Sequence, residues 1–236
     1  MINKPQIDVE RDNLLTDFGK EVLRDRYMLP TEKSPQEAFA RAAAAFADSD
    51  AHAKRLYDYS SKLWFMFATP ILSNGGTDRG LPISCFLNYV PDSREGLSEH
   101  YAENIWLSSS GGGIGGYWGD IRSQDQSTSK GNKTTGVIPF MHVVDSQMVA
   151  FNQGATRRGS YASYMDISHP EIIEFIEMRK PSGGDVNRKN LNLHHGINVS
   201  DKFMKALEKD ESWKLIDPHN KKVIREVKAR QLWIKI

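Results

Sequence analysis

Strand-like and helical segments alternate along most of this chain of 236 residues, and this alternation limits its possible folds more than any other feature. Strand-like runs cover 81–90, 161–167 and 191–199, and helical patterns lie between them. Parallel strands need long crossovers, whereas antiparallel strands can be joined by short turns. The pattern predicts a helical domain over 1–69, followed by a parallel α/β domain over 70–236.

Helix-start signals support this division. Residues 34–37 (SPQE) form a capping box with proline at the first helical position, and residues 168–171 (SHPE) form a second one. Thr69-Pro70 is expected to end the last helix of the first domain, because a residue before proline is pushed out of the α region.

The first strand-like run, LPISCFLNYV at 81–90, is mostly apolar, which is typical of a strand buried on both faces. Alternation along a strand places Cys85 and Leu87 on one face and Ser84 and Phe86 on the other. Cys85 is the only cysteine, so an internal disulfide and a cysteine-based zinc site are excluded. The ordinary role of such a residue is a small buried apolar side chain.

The charge balance excludes several classes of protein. A net charge of +1 and 10% aromatic residues are wrong for a disordered chain and argue against a protein built mainly to bind nucleic acid. No apolar run approaches the roughly 18 residues of a membrane helix, and residues 1–19 lack the apolar core of a secretory signal. We expect a cytoplasmic protein. No metal site is predicted, because His194 and His195 fall on opposite faces of a strand.

Residues 108–122 (SSSGGGIGGYWGDIR) are too rich in glycine to predict a regular element. Gly111, Gly113 and Gly116 have the GxGxxG spacing, but no strand precedes them and no acidic residue follows about 20 positions on. A dinucleotide fingerprint is therefore disfavoured. Two interpretations stay open: a backbone that approaches a ligand closely because it lacks a Cβ, and a flexible loop.

Two loops carry arginine among small residues, Arg122 in one and Arg157 with Arg158 in the other. The planar fork of arginine holds phosphate by two parallel hydrogen bonds, so these loops, with Lys130 and Lys133, could hold a nucleotide. Ordinary solvated surface charge explains the same residues, and composition alone does not separate the two interpretations.

Several motifs, taken in order, resemble the large (catalytic, α) subunit of ribonucleotide reductase. The resemblance covers residues 55–236, and an ordered set of motifs is more specific than any one of them. The motifs are Thr69-Pro70, Ser84-Cys85, Pro91-Asp92-Ser93, GGGIGGYWGDIR (111–122), TGVIPF (135–140), QGATRRGS (153–160), SHPEIIEFIE (168–177) and NLHHGINVSDKFM (192–204).

The resemblance implies a ten-stranded α/β barrel made of two parallel five-stranded halves. Residues 70–236 correspond to roughly the first half, truncated at its C-terminal end. The second redox cysteine belongs to the other half, so this chain is expected to be inactive by itself. About 33 residues precede the first pair of helices, so an ATP-cone domain for overall activity control is not expected.

The resemblance also assigns residues. Cys85 corresponds to the cysteine that reduces the substrate and then forms a disulfide with a cysteine of the other half; a pair of thiols supplies two electrons when it oxidises. Members of the family often carry a second effector-binding arginine near residue 128. This chain has Thr128 and Ser129 there, and Lys130 is the candidate to bind the phosphates instead. Substrate contacts fall on Thr69, Ser84, Cys85 and Gly113. The specificity-effector site falls on Asp92, Ser93, Arg94 and Arg122, and on loops 123–134 and 152–162 with Gln153, Arg157 and Arg158.

The resemblance implies several partners, while this chain itself holds no cofactor. The effector is a dNTP or ATP, and the substrate is a ribonucleoside diphosphate or triphosphate reduced for DNA synthesis. The radical comes from a metal-containing small subunit or, as the alternative, from adenosylcobalamin, and thioredoxin or glutaredoxin is the reductant. Helices 95–108 and 138–152 correspond to the interface of an α homodimer. The rival hypothesis is a non-catalytic fragment that binds dNTPs and regulates or interacts with a complete enzyme.

Overall fold

The computed structural model describes residues 2–151 and 159–236, and the chain divides into two compact units, Met1–Ser84 and Cys85–Ile236. The first unit is helical, and the second combines a parallel sheet with helices. The predicted fold class, a helical region followed by parallel α/β structure, is confirmed. The predicted domain boundary at residue 69 stays a prediction.

Capping serines and an alanine-rich stripe build the first unit. Ser34 accepts a hydrogen bond from the N–H of Gln36, so this helix starts where the sequence predicts it, and Ser49 caps the next helix by accepting one from the N–H of His52. Phe39 is fully buried in its core. The helices are α1 (Asp17–Arg26), α2 (Pro35–Ala45), α3 (Asp50–Ser61) and α4 (Thr69–Asn74), with a 3-10 helix at Val9–Leu14 before them.

Thr69-Pro70 begins a helix instead of ending one, so that prediction was wrong. Helix α3 ends at Ser61, and Pro70 lies in the first turn of α4. The missing N–H of proline has no intrahelical partner to lose at that position, and its fixed φ suits a helix start.

The second unit is built on a four-stranded parallel sheet with the order β1-β2-β3-β4. The strands are in register, with Cys85 opposite Gly113 and Gly113 opposite Ser160. Trp118 and Phe175 are fully buried in its core. The elements are β1 (Cys85–Tyr89), α5 (Arg94–Ser109), β2 (Gly113–Tyr117), α6 (Ile138–Ala150), β3 (Ser160–Asp166), α7 (Ile172–Glu177), a 3-10 helix (Val186–Arg188), β4 (His194–Asn198), α8 (Asp201–Glu208), β5 (Ser212–Ile216), β6 (Val223–Lys228) and α9 (Ala229–Lys235).

Strand β1 is not buried on both faces, contrary to the sequence prediction. It lies at the edge of the four-stranded sheet formed by the described residues, where only β2 pairs with it. Leu87 is 89% exposed, and Cys85 and Tyr89 on the same face are also exposed. An apolar run therefore indicated a strand correctly but not what covers it. The predicted alternation is confirmed, since Phe86 and Asn88 on the other face are half-buried.

The glycine-rich run forms a strand, β2, so the prediction that it has no regular structure was wrong. Two of its glycines lie close to side chains of the neighbouring strands, and the buried Tyr161 leaves no room for a side chain at Gly116. A Cβ on Gly116 would lie 1.7 Å from the Tyr161 hydroxyl, and a Cβ on Gly115 would lie 2.8 Å from a Leu87 methyl carbon. At Gly115 and Gly116 the close neighbours are protein side chains within the sheet.

Two further differences concern the C-terminal part of the second unit. The SHPE segment does not cap α7 through Ser168, because that helix begins at Ile172 and no side chain caps it. The antiparallel hairpin β5–β6 was not predicted at all. The turn of this hairpin contacts the loop that follows Arg122. Glu171, which the sequence assigned to a helix cap, contacts the same loop.

Candidate nucleotide site and the single cysteine

A cavity of about 550 Å³ opens in the second unit, within the size range of small-molecule sites. It joins the start of α5 to the loop of residues 123–136, here called the 123–136 loop. Four residues predicted for the effector site, Asp92, Ser93, Arg94 and Arg122, line it together. The remaining lining residues are Glu95, Leu97, Thr128, Ser129, Lys130, Thr134 and Phe140.

The start of α5 forms one wall of this cavity. Ser93 caps the helix, with its side chain accepting a hydrogen bond of 3.0 Å from the N–H of Gly96. Gly96 lies against Pro91, where an added Cβ would come within 2.6 Å of the ring. The N-terminus of a helix of this length carries partial positive charge, which favours an anionic ligand beside it.

Arg122 joins the two walls. Its Nε donates to Asp92 Oδ2 at 2.7 Å, and its Nη1 donates to the carbonyl of Ser127 at 2.8 Å. The guanidinium is largely buried, with 18% of the side chain exposed. Two nitrogens of the Arg122 guanidinium are therefore held by protein oxygens. Arg94 and Lys130 supply exposed positive charge at the same cavity.

The 123–136 loop is an ordered ribbon with irregular structure. The Asp125 N–H donates to Thr134 O and the Thr134 N–H donates to Gln126 O, both at 3.0 Å. Nearer the tip, the Thr128 N–H donates to Asn132 O at 2.7 Å. These bonds place Lys130 at the cavity wall, and its role as a substitute for the absent arginine stays a prediction.

A buried polar network fixes α5 on the sheet. His100 is 3% exposed, and its Nε2 lies 3.0 Å from the Tyr161 hydroxyl and 2.9 Å from Asn104 Nδ2. Burial lowers the pKa of His100 to about 4, which keeps the ring neutral near pH 7. Trp118 Nε1 donates to the same hydroxyl at 3.0 Å. The wall that carries Ser93 and Arg94 is thus tied to strand β3.

Cys85 lies on the exposed face of β1, opposite Gly113 of β2. The preceding residue, Ser84, is half-buried, as expected if its side chain lies on the opposite face. Thr69 begins α4 in the first unit, with its hydroxyl 3.3 Å from that of Tyr27. The substrate roles of these four residues stay predictions. The exposure of the thiol shows that Cys85 is not a buried apolar side chain.

Several predicted residues belong neither to the cavity nor to the strand that carries Cys85. Gln153, Arg157 and Arg158 lie outside the described residues. Within residues 2–151 and 159–236, no group of three histidine, cysteine or acidic side chains is arranged to hold a metal ion. His195 stacks edge-on to Phe175 at 5.3 Å, and burial lowers its pKa, as expected of a structural histidine. None of the helices of the described chain combines the length and apolar character needed to cross a bilayer.

Sequence reasoning placed Thr134 within a predicted effector loop without singling it out, and it missed Phe140, although both residues line the cavity. The supports of the 123–136 loop, Glu171 and Asp217, were also missed, because they contact residues 34–94 positions away in sequence. Only the structure brings such pairs together.

Comparison with known proteins follows the division into two units. The family described as "Ribonucleotide reductase, barrel domain" matches residues 83–235, and the one described as "Ribonucleotide reductase, all-alpha domain" matches residues 13–80.

Similar proteins occur in viruses and bacteria. The ribonucleoside-diphosphate reductase large subunit of Invertebrate iridescent virus 6 is 46% identical, with 98% of this chain and 24% of the relative covered. The large subunit of Invertebrate iridescent virus 3 is 40% identical, with 98% and 44% covered. The ribonucleoside-diphosphate reductase subunit alpha of Helicobacter pylori (strain J99) is 34% identical, with 94% and 29% covered. The chain therefore spans less than half the length of each of these relatives.

Proposed function

The chain belongs to the ribonucleotide reductase large-subunit family, as its motifs indicated, and from this premise we propose that it forms part of an enzyme that reduces ribonucleotides to deoxyribonucleotides. In this proposal residues 1–69 are the helical domain and residues 70–236 are the first part of the barrel. The relatives are named for ribonucleoside diphosphates, which favours a diphosphate over a triphosphate substrate.

The cavity at the start of α5 is the proposed specificity-effector site, and it is the observation that carries this proposal. Asp92, Ser93, Arg94 and Arg122 were assigned to this role from sequence, and they line one cavity together with Lys130. A helix N-terminus next to three basic side chains suits the triphosphate of a dNTP or ATP. Gln153, Arg157 and Arg158 are proposed to belong to the second effector loop.

Cys85 is the proposed reducing thiol, and Thr69, Ser84 and Gly113 are proposed to contact the substrate. In this proposal Cys85 and a second cysteine, carried by the rest of the large subunit, each lose one hydrogen atom and form a disulfide. The two electrons and two protons pass to the substrate, which loses its 2′-hydroxyl as water. Thioredoxin or glutaredoxin then returns the disulfide to two thiols.

The remaining partners follow from the same assignment. The rest of the large subunit completes the barrel, a metal-containing small subunit supplies the radical, and adenosylcobalamin is the alternative source. Helices α5 and α6 are proposed to form an α homodimer interface. Exposed apolar side chains on both helices support this role, with Trp106 76% exposed and Val149 61% exposed.

The test is complementation. This chain alone is expected to bind dNTPs but to reduce no ribonucleotide, and mixing it with the C-terminal portion of a relative and its small subunit is expected to restore reduction. Isothermal titration with dATP and dTTP measures binding, and deoxyribonucleotide formation measures activity. Reduction by this chain alone contradicts the proposal. Binding of dNTPs with no complementation favours the rival, a non-catalytic regulatory fragment.

A further inference from the structure

Two buried carboxylates hold the base of the 123–136 loop from outside it. Asp217, in the turn between β5 and β6, is fully buried. Its Oδ2 accepts hydrogen bonds from the Ser123 N–H at 2.8 Å and from the Ser123 hydroxyl at 2.7 Å. Ser123 directly follows Arg122, so this contact fixes the point at which the loop leaves the cavity wall.

The second carboxylate, Glu171, closes the loop. It accepts hydrogen bonds from the Gln124 N–H at 3.1 Å and from the Val137 N–H at 3.0 Å, so it joins the first residues of the loop to the residue after its end. Gly136 has φ +89°, and an added Cβ there would lie 2.3 Å from Glu171 Oε1. The backbone at the end of the loop is therefore shaped around this carboxylate.

Arg188 completes the support at this end. Its Nη2 donates to Glu171 Oε1 at 3.2 Å, and its Nη1 donates to the carbonyl of Thr135 at 2.8 Å. The same guanidinium pairs with Glu174. A buried carboxylate needs such a partner, because desolvation without compensation is costly.

From these contacts we propose that Asp217 and Glu171 are positioning residues for the nucleotide cavity, which hold the 123–136 loop so that Arg122 and Lys130 face the bound effector. The proposal rests on the function proposed above for this cavity. Because the loop is a hydrogen-bonded ribbon, fixing its base fixes its tip, where Thr128, Ser129 and Lys130 line the cavity. Neither carboxylate lines the cavity itself.

Asp217 is the more informative of the two because its two oxygens have separate roles. Oδ1 accepts the N–H groups of His219 and Asn220, both at 3.0 Å, and so orders its own turn. Oδ2 reaches the loop. In Asp217→Asn the amide oxygen can still order the turn, while the amide N–H₂ meets the Ser123 N–H, donor against donor. The substitution therefore releases the loop and leaves the hairpin turn intact.

The experiment measures dATP and dTTP affinity of the 236-residue chain by isothermal titration, together with amide hydrogen exchange. At pH 8, where the Glu171 carboxyl with its pKa of about 7 is mostly ionised, Asp217→Asn and Glu171→Gln are each expected to weaken binding about tenfold, because each removes charge-assisted hydrogen bonds at the base of the loop. Exchange is expected to rise at residues 124–134 and to stay unchanged in α8 and β5. Glu226→Gln is the matched control, since Glu226 lies on the same hairpin and contacts Lys214 rather than the loop.

The outcomes separate the two proposals. If the wild-type chain binds neither nucleotide, the proposed function fails and this inference fails with it. If the wild type binds and both variants bind equally tightly while their loop exchange rises, only the positioning role is overturned. Should Asp217→Asn fail to fold, Ser123→Ala removes one of the two donors and keeps the backbone, and it is expected to weaken binding by a smaller factor. Unchanged affinity in both Ser123→Ala and Glu171→Gln would also overturn the role.

Discussion

The proposed effector cavity and the strand that carries Cys85 belong to the same compact unit but differ in how completely the described chain surrounds them. The described residues that line the cavity lie between positions 92 and 140, and its loop is held by buried side chains. Strand β1 lies at a sheet edge, and its Cys85 face is exposed. Among the described residues, one region is a walled cavity, whereas the other is an exposed strand face.

This difference predicts that binding and turnover are separable. A cavity whose walls come from one unit needs no further chain to take a ligand. A reducing centre that needs two thiols cannot be completed by a chain with one cysteine.

Cys85→Ser is expected to reduce multiple-turnover activity of the complemented enzyme to background, because a hydroxyl cannot form the disulfide that supplies the electron pair. The affinity for dATP is expected to be unchanged, since Cys85 does not line the cavity. Steady-state deoxyribonucleotide formation with thioredoxin, beside isothermal titration, measures both. A variant that turns over at the wild-type rate would show that Cys85 is not the reducing thiol.

The support of the cavity loop is expected to depend on pH. Burial raises the pKa of Glu171 to about 7 from 4.5, although the Val137 N–H and Arg188 act in the opposite direction and Glu174 adds to the rise. The folded state thus binds this proton more tightly than the unfolded state, so the contribution to stability is full below about pH 4.5 and is lost as pH rises through 7.

Urea unfolding of the wild type and of Glu171→Gln between pH 4.5 and 8 isolates this contribution. The free energy of unfolding of the wild type minus that of the variant is expected to fall by roughly 3 kcal/mol across the range. A difference that grows with pH would mean that Arg188 and the backbone N–H groups keep the carboxylate charged. The pH dependence expected for Asp217 has the opposite sign. Burial would raise its pKa, but the hydrogen bonds from Ser123, Asn220 and His219 lower it, so its contribution to stability is lost at acid pH.

Arg122→Ala is expected to weaken dNTP binding about 10- to 100-fold, because it removes a charge-assisted contact of about 1.5–3 kcal/mol and leaves Asp92 without its partner. Arg122→Lys keeps the charge but not the planar fork, and an intermediate affinity is expected. Isothermal titration at fixed salt measures the three proteins. Wild-type affinity in Arg122→Ala would remove the cavity from the effector hypothesis.

The same two regions show which structural features could be predicted from the sequence and which could not. Helices α5 and α6 and strands β3 and β4 followed from local periodicity, and the family motifs found Asp92, Ser93, Arg94 and Arg122, which then proved to share a cavity. Local patterns hold such information because the period and the caps are properties of neighbouring residues.

Strand β2 and the supports of the loop were not predictable in this way. Glycine is depleted in strands, so a run of glycines does not predict one, and the buried Tyr161 that leaves no room for a side chain at Gly116 lies 45 positions away in sequence. Asp217 and Ser123 are 94 residues apart in sequence, and no pattern in the residues next to either one predicts their contact. The exposed face of β1 was mispredicted for a related reason, because an apolar run indicates a strand without saying whether another element covers it.

The smallest expected effect concerns Lys130 and Lys133, two lysines of the 123–136 loop. Lys130 lines the cavity, whereas Lys133 does not, although both are exposed and carry the same charge. Lys130→Ala is expected to weaken dNTP binding only two- to fivefold, because an exposed ion pair contributes about 0.5–1 kcal/mol. Lys133→Ala changes the net charge equally and is expected to leave the affinity unaltered. Equal losses from both would mean that the loop acts through its overall charge, and Lys130 would then have no specific place beside the phosphates.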